Sequence, residues 1–130
     1  MSLTDSQFWR KLTNGEYIFD KRRRLGIFIQ LVPEKPNGDS KQYYTVWMRG
    51  TVTQIVLTEK GSPIMFPLET AARKAEAMAF HPMYLARAHG IKHAFEECPQ
   101  CRQIQKVLID IGNNKLICDV CKADFKPEKL

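Results

Sequence analysis

No run of apolar residues in this chain approaches the roughly 18 needed to cross a bilayer. The amino-terminal stretch, MSLTDSQFWRKLTNGEY, lacks a basic segment followed by an apolar one, so no secretory leader is expected. There is no internal repeat beyond two cysteine pairs, and no low-complexity stretch. A glycine-rich phosphate loop, a Ser-His-Asp or Cys-His constellation and a recognisable carboxylate pair are all missing. The expectation is therefore a protein that is not an enzyme and takes no small-molecule substrate. Cysteine is scarce, with four in 130 residues, all of them after residue 97. A cytoplasmic location, with no membrane partner, is the expectation. In such a reducing compartment thiols persist, and paired cysteines favour metal over disulfide.

With 44% hydrophobic and 26% charged residues, the composition is that of an ordinary globular domain, or of a small domain with an appendage. The formal charge of +6 is unevenly spread. Residues 1–96 hold 14 lysines and arginines against 9 acids, whereas residues 97–130 hold 6 against 5. An anionic partner would thus look first to the front of the chain.

Hydrophobic periodicity gives a coarse order of elements. Residues 5–13 can form a short helix capped by Asp5 or Ser6, with Phe8, Trp9 and Leu12 on one face and Asn14-Gly15 ending it. A charged approach, Asp20 to Arg24, leads into Leu25–Val32, which reads as a largely buried strand. Pro33 to Ser40 is a loop by composition. Two further strands, Gln42–Met48 and Thr51–Thr58, flank a turn at Arg49-Gly50, and Ile64–Phe66 is a brief fourth. The clearest helix is Pro67–Phe80, whose alanines line an apolar stripe. Residues 82–97 read as one or two helical turns broken at Gly90. The expected class is α+β: a small antiparallel sheet with helices in residues 1–95, then a cysteine module in residues 96–130.

The cysteines stand as Cys98-Pro-Gln-Cys101 and Cys118-Asp-Val-Cys121, with sixteen residues between the pairs. Two residues between cysteines let a tight turn present both sulfurs to one tetrahedral ion. The intervening segment reads as a hairpin, Gln105 to Ile111, a turn at Gly112 to Lys115, and a return through Leu116-Ile117. In this arrangement residues 96–126 resemble the zinc-ribbon family, including its frequent Cys-Pro-x-Cys first knuckle. Arg102 and Lys122 stand where that family commonly has glycine, and a treble-clef arrangement with a helical turn after Cys121 stays open. The resemblance implies one structural zinc on Cys98, Cys101, Cys118 and Cys121. A redox dithiol, a disulfide pair and a catalytic zinc are the rival readings. Four thiolates on one divalent ion would lower the formal charge to +4 and leave residues 97–130 at −1.

Lys21, Arg22, Arg23 and Arg24 form the densest charge cluster and are candidate phosphate ligands, which Arg10, Lys11, Arg49 and Lys60 could extend. A solvated strand entrance is the plainer reading. Tyr43, Tyr44 and Trp47 could stack bases or lie in the core, Tyr43 and Trp47 on one face and Tyr44 on the other. His89 and His93, four apart, could share a second metal on a helix. The order helix, three strands, helix is also similar to double-stranded RNA-binding domains. Two functions follow as expectations. One is a nucleic-acid-associated protein, with DNA and RNA equally open; the other is a protein-interaction adaptor or regulator of a larger machine.

Overall fold

The computed structural model describes residues 7–35 and 41–130. All its strand pairs are antiparallel, and two helices accompany them, so the fold is α+β. The first sheet is a five-stranded meander in the order β1 to β5: Trp9–Lys11, Tyr17–Arg22, Ile27–Glu34, Tyr43–Arg49 and Gln54–Val56. A two-residue pair follows, β6 (Thr58–Glu59) with β7 (Ser62–Pro63). Helices α1 (Leu68–Met78) and α2 (Pro82–His89) then lead to a second sheet. It comprises β8 (His93–Cys98), β9 (Gln103–Asp110), β10 (Lys115–Cys118) and β11 (Asp124–Phe125), in the order β11-β10-β9-β8. Strand β8 runs across the division expected at residue 95. Among the described residues, no helix is long and apolar enough to cross a membrane.

The expected helix over residues 5–13 is a strand over its described part; Asp5 and Ser6 lie outside the described residues. Tertiary pairing overrides local propensity here. Trp9 pairs with Phe19 and is buried against it, while its indole N–H donates to Glu76 on α1. Strand alternation sends Arg10 the other way, to Asp20 at 3.0 Å. Asn14-Gly15 makes the turn of a hairpin, with Gly15 at φ +89. The likeness to double-stranded RNA-binding domains falls with that helix. The charged approach is likewise a strand as far as Arg22, then a single 3-10 turn over Arg23–Leu25.

Strand β3 alternates instead of being buried on both faces. Ile27, Ile29 and Leu31 are buried, and Phe28, Gln30 and Val32 are half-buried on the opposite side. The reason is that α1 covers only one face. Its Ala71, Ala72, Ala75 and Met78 pack with Ile29, Leu31, Val46 and Met48 in one core, since small alanines allow close approach.

The expected strand Thr51–Thr58 is shortened because residues 50–53 form a loop held by α2. Backbone N–H groups of Val52 and Thr53 donate to the Ala88 carbonyl. A Cβ on Gly50 would stand 2.0 Å from that same oxygen, so only glycine fits. Ile64–Phe66 contributes a bridge from Phe66 to Tyr44 and no strand of its own. Helix α2 begins where His81 accepts from the Met83 N–H and ends at Gly90, φ +70. Beyond Gly90 the chain is extended, so the helical turns expected there are β8. Met83 and Ala86 of α2 join Val107, Ile109 and Leu116 in a second, smaller core.

Candidate metal centre and basic face

The four cysteines converge at one end of the second sheet. Cys98 ends β8 and Cys118 ends β10, while Cys101 and Cys121 lie in the turns that follow. All four Sγ atoms lie within 4.8 Å of one another. Cys98 and Cys121 are 3.5 Å apart, and Cys101 and Cys118 are 3.9 Å apart. A tetrahedral ion bonded to thiolates at about 2.3 Å separates its sulfurs by roughly 3.8 Å. The cage therefore has the size and the donor set for one ion, and it is compatible with a single zinc. Four thiolates would fill every tetrahedral position, an arrangement that holds structure and leaves no place for a substrate.

The two turns share one construction. Arg102 N–H donates to the Cys98 carbonyl at 2.7 Å, and Lys122 N–H to the Cys118 carbonyl at 3.0 Å. Arg102 has φ 57 and Lys122 φ 65, so both occupy the left-handed region where glycine was expected. Side-chain bulk has not altered the turn; it adds a strain of about 1–2 kcal/mol at each position. Without metal, the Cys118 thiol is pushed down to about 7, chiefly by the Cys121 backbone N–H with help from Val120. Cys101 is pushed up to about 12, first by its side-chain bond with Cys121. After Lys122 the chain enters β11, so the helical turn of the treble-clef alternative is absent.

His89 and His93 do not come together. His89 ends α2 with its Nε2 buried and without a partner among the described residues, whereas His93 opens β8 in solvent. Among the described residues, the cysteines form the only cluster of three or more candidate ligands.

The basic run Lys21–Arg24 divides in two. Lys21 Nζ lies 5.4 Å from the Phe8 ring and 5.5 Å from the Phe80 ring. The Arg22 guanidinium lies 4.9 Å from the Phe80 ring and donates to the Ala79 carbonyl at 3.1 Å. Arg22 thus caps the carbonyl end of α1, where a cation is favoured. Lys21 is nonetheless exposed. Arg23 reaches Asp20 only at 4.0 Å, and Arg24 is exposed with no hydrogen bond or ion pair to a described residue. All four, with Phe8, Arg10, Asp20 and Leu25, line an open cavity of about 690 Å³. Phe80, 47% exposed, stands beside it. Of the other cations considered, Arg10 joins this face. Lys11 lies over Tyr17, Lys60 is in the β6–β7 turn, and Arg49 is on the open side of the first sheet.

Tyr44 is in the core, and Tyr43 and Trp47 lie on the opposite face, as alternation requires. Sequence reasoning missed Phe28 and Phe80. The run Ile27-Phe28-Ile29-Gln30-Leu31-Val32 is apolar but for Gln30, so nothing local marked the face Phe28 takes, and nothing local marked Phe80. Comparison with family models, with curated proteins and with solved structures found no match. What the fold and site define is an α+β protein with a tetracysteine centre and a basic face.

Proposed function

We propose that this chain is a small nucleic-acid-associated protein whose front part, residues 1–95, contacts phosphates. In this reading residues 96–130 are a zinc ribbon braced by one structural zinc ion on Cys98, Cys101, Cys118 and Cys121. The observation that carries the reading is the cavity lined by Arg10, Lys21, Arg22, Arg23 and Arg24, five cations against the single acid Asp20, beside Phe80. Arginine suits phosphate because its planar fork pairs with two oxygens at once. Binding to DNA and RNA, measured across salt, tests it. About three neutralised phosphates give a log–log slope near −3. Replacing Arg23 and Arg24 by serine should flatten that slope, while the folded state persists because neither residue supports the core. A flat slope in the unaltered protein overturns the reading. Elemental analysis of the native protein should find one zinc per chain.

A second reading rests on a different surface. Phe95 is 72% and Ile104 71% exposed on the outer face of the second sheet, where Phe95 stands opposite Lys106, between Ile104 and Leu108. Such a patch suits a protein partner. On the other face of the same sheet Ile109 and Leu116 are buried with Met83 and Ala86, while Ile111 is 47% exposed. Recovery of a stoichiometric protein partner that is lost on Phe95→Ser favours this reading over the first.

A further inference from the structure

The first sheet has two faces, and only one of them is spoken for. Both helices and the main core lie on the side of Ile29, Leu31, Val46 and Met48. The opposite side carries Ile18, Phe28, Gln30, Trp47, Arg49 and Gln54, and none of these belongs to either core cluster. A sheet face that no described element covers is usually polar. This one carries half-buried Phe28, Trp47 and Arg49 beside a buried Thr45, with the arginine in a fixed posture.

Arg49 is the centre of that posture. Its Nε donates to the Gln30 side-chain oxygen at 3.0 Å, and its Nη1 to that of Gln54. Gln30 in turn donates to Glu16. The guanidinium lies 5.1 Å from the Trp47 ring centroid, and the indole N–H of Trp47 donates to Thr45 Oγ1 at 2.9 Å. Two neutral amides and an aromatic ring therefore hold the cation in place, and no described carboxylate neutralises it. Of the five guanidinium donors, two are used, which leaves the rest to a ligand. A ring and a guanidinium plane are the two groups on which unstacked bases lie.

Register places further cations nearby. Arg49 ends β4 at the end of the sheet where β3 begins, directly after the turn that carries Arg23 and Arg24. Phe28 precedes Ile29, the partner of Met48, so it shares this end of the face with Arg49. Arg10, across from Ile18, is paired with Asp20. Glu34 lies toward the other end of the face, Glu16 reaches Gln30 from that side, and Asp20 stands at the cation end against Arg10 and Arg23. The face is thus polarised, with aromatics in the middle and cations in excess at one rim, where Arg24 and Arg49 have no described carboxylate partner.

We propose that this open face, centred on Trp47 and Arg49 with Phe28 beside them, is a stacking platform for a single-stranded polynucleotide. Its bases lie on the rings and its backbone runs toward Arg23 and Arg24. The inference rests on the nucleic-acid reading above and adds the strandedness and the mode of contact. A duplex hides its base faces and cannot use the platform.

The full chain is titrated with oligothymidylate and oligouridylate of about twelve nucleotides, and with a duplex of equal length. Trp47 fluorescence is expected to be quenched by the single strands and to be unaffected by the duplex, Trp9 being buried on the other face. Trp47→Leu should weaken single-strand binding about five- to a hundredfold, and Trp47→Phe should restore part of it. Arg49→Lys keeps the charge and loses the plane; it too should weaken single-strand binding, with duplex binding unchanged. Equal binding of single strands and duplex, untouched by these variants, overturns the platform and leaves the phosphate reading standing. Absence of binding to any of the three overturns both.

Discussion

The two sheets bury their inner faces by different means. Under the first, sixteen described residues from the strands, α1 and α2 form one continuous core that includes Trp9, Phe19 and Tyr44. Under the second, the described core is five residues, two of them lent by α2, and the far end is closed by four sulfurs. The difference follows from size. A segment of some thirty residues cannot bury enough apolar surface to offset its conformational entropy, so it relies on a bound ion and on a neighbour. Helix α2 serves both sheets: Leu85 and Ala88 face the first core, and Met83 and Ala86 the second.

Metal removal gives the largest expected effect on this contrast. A strong chelator should unfold the second sheet, since structural zinc supplies about 10 kcal/mol or more of apparent folding free energy in small modules. Amide-exchange protection should vanish in β8 to β10 and persist in β3 and β4. Simultaneous loss in both sheets would mean that they are one cooperative unit.

The junction between them is the next target. Gly50→Ala forces a Cβ to within 2.0 Å of the Ala88 carbonyl oxygen, a backbone atom that cannot swing aside. Overpacking of this kind costs about 2–3 kcal/mol, and a fall in Tm of roughly 10 °C should accompany it. Exchange at Val52 and Thr53, whose N–H groups bond to Ala88, should quicken first.

A smaller change of opposite sign is expected at the second knuckle. The left-handed backbone costs Lys122 about 1–2 kcal/mol, and glycine gives back about 0.5–1 kcal/mol through its looser unfolded chain. Lys122→Gly should therefore stabilise the metal-bound second sheet by about 0.5–1 kcal/mol. Slower metal release to a competing chelator would register it, and the first sheet should be unaffected.

The smallest effect concerns acid. Burial pushes His89 below the usual histidine range, and its Nε2 has no described partner. The unfolded chain takes up the proton first as pH falls below about 6.5, so stability should decline from there until the folded ring titrates. Denaturant midpoints between about pH 7 and 5 should show this decline in the unaltered protein and a lesser one in His89→Phe.

Local chemistry made some of this legible beforehand. The strands Tyr43–Arg49 and Gln103–Asp110, helix α1 and the stop at Gly90 follow from periodicity, proline and glycine. The metal cluster follows from cysteine spacing, because two short turns joined by a hairpin can only bring their sulfurs to one place. Trp9 was misread because Phe8, Trp9 and Leu12 fit a helical face as well as a strand, and only pairing with Phe19 decides between them. His93–Cys98 was misread for the same reason, its partners Gln103 to Leu108 on β9 lying five to fifteen residues downstream.

By itself, then, the sequence determined what depends on near neighbours: the α+β class, most of the turns and the four candidate ligands for one ion. The tertiary structure alone decided which cations are free. Arg22 is held by Phe80 and the end of α1 and Lys21 leans on Phe80, while Arg24, their neighbour in the chain, has no such described partner. Such partners lie more than fifty residues away, and no local pattern encodes which side chain will meet them.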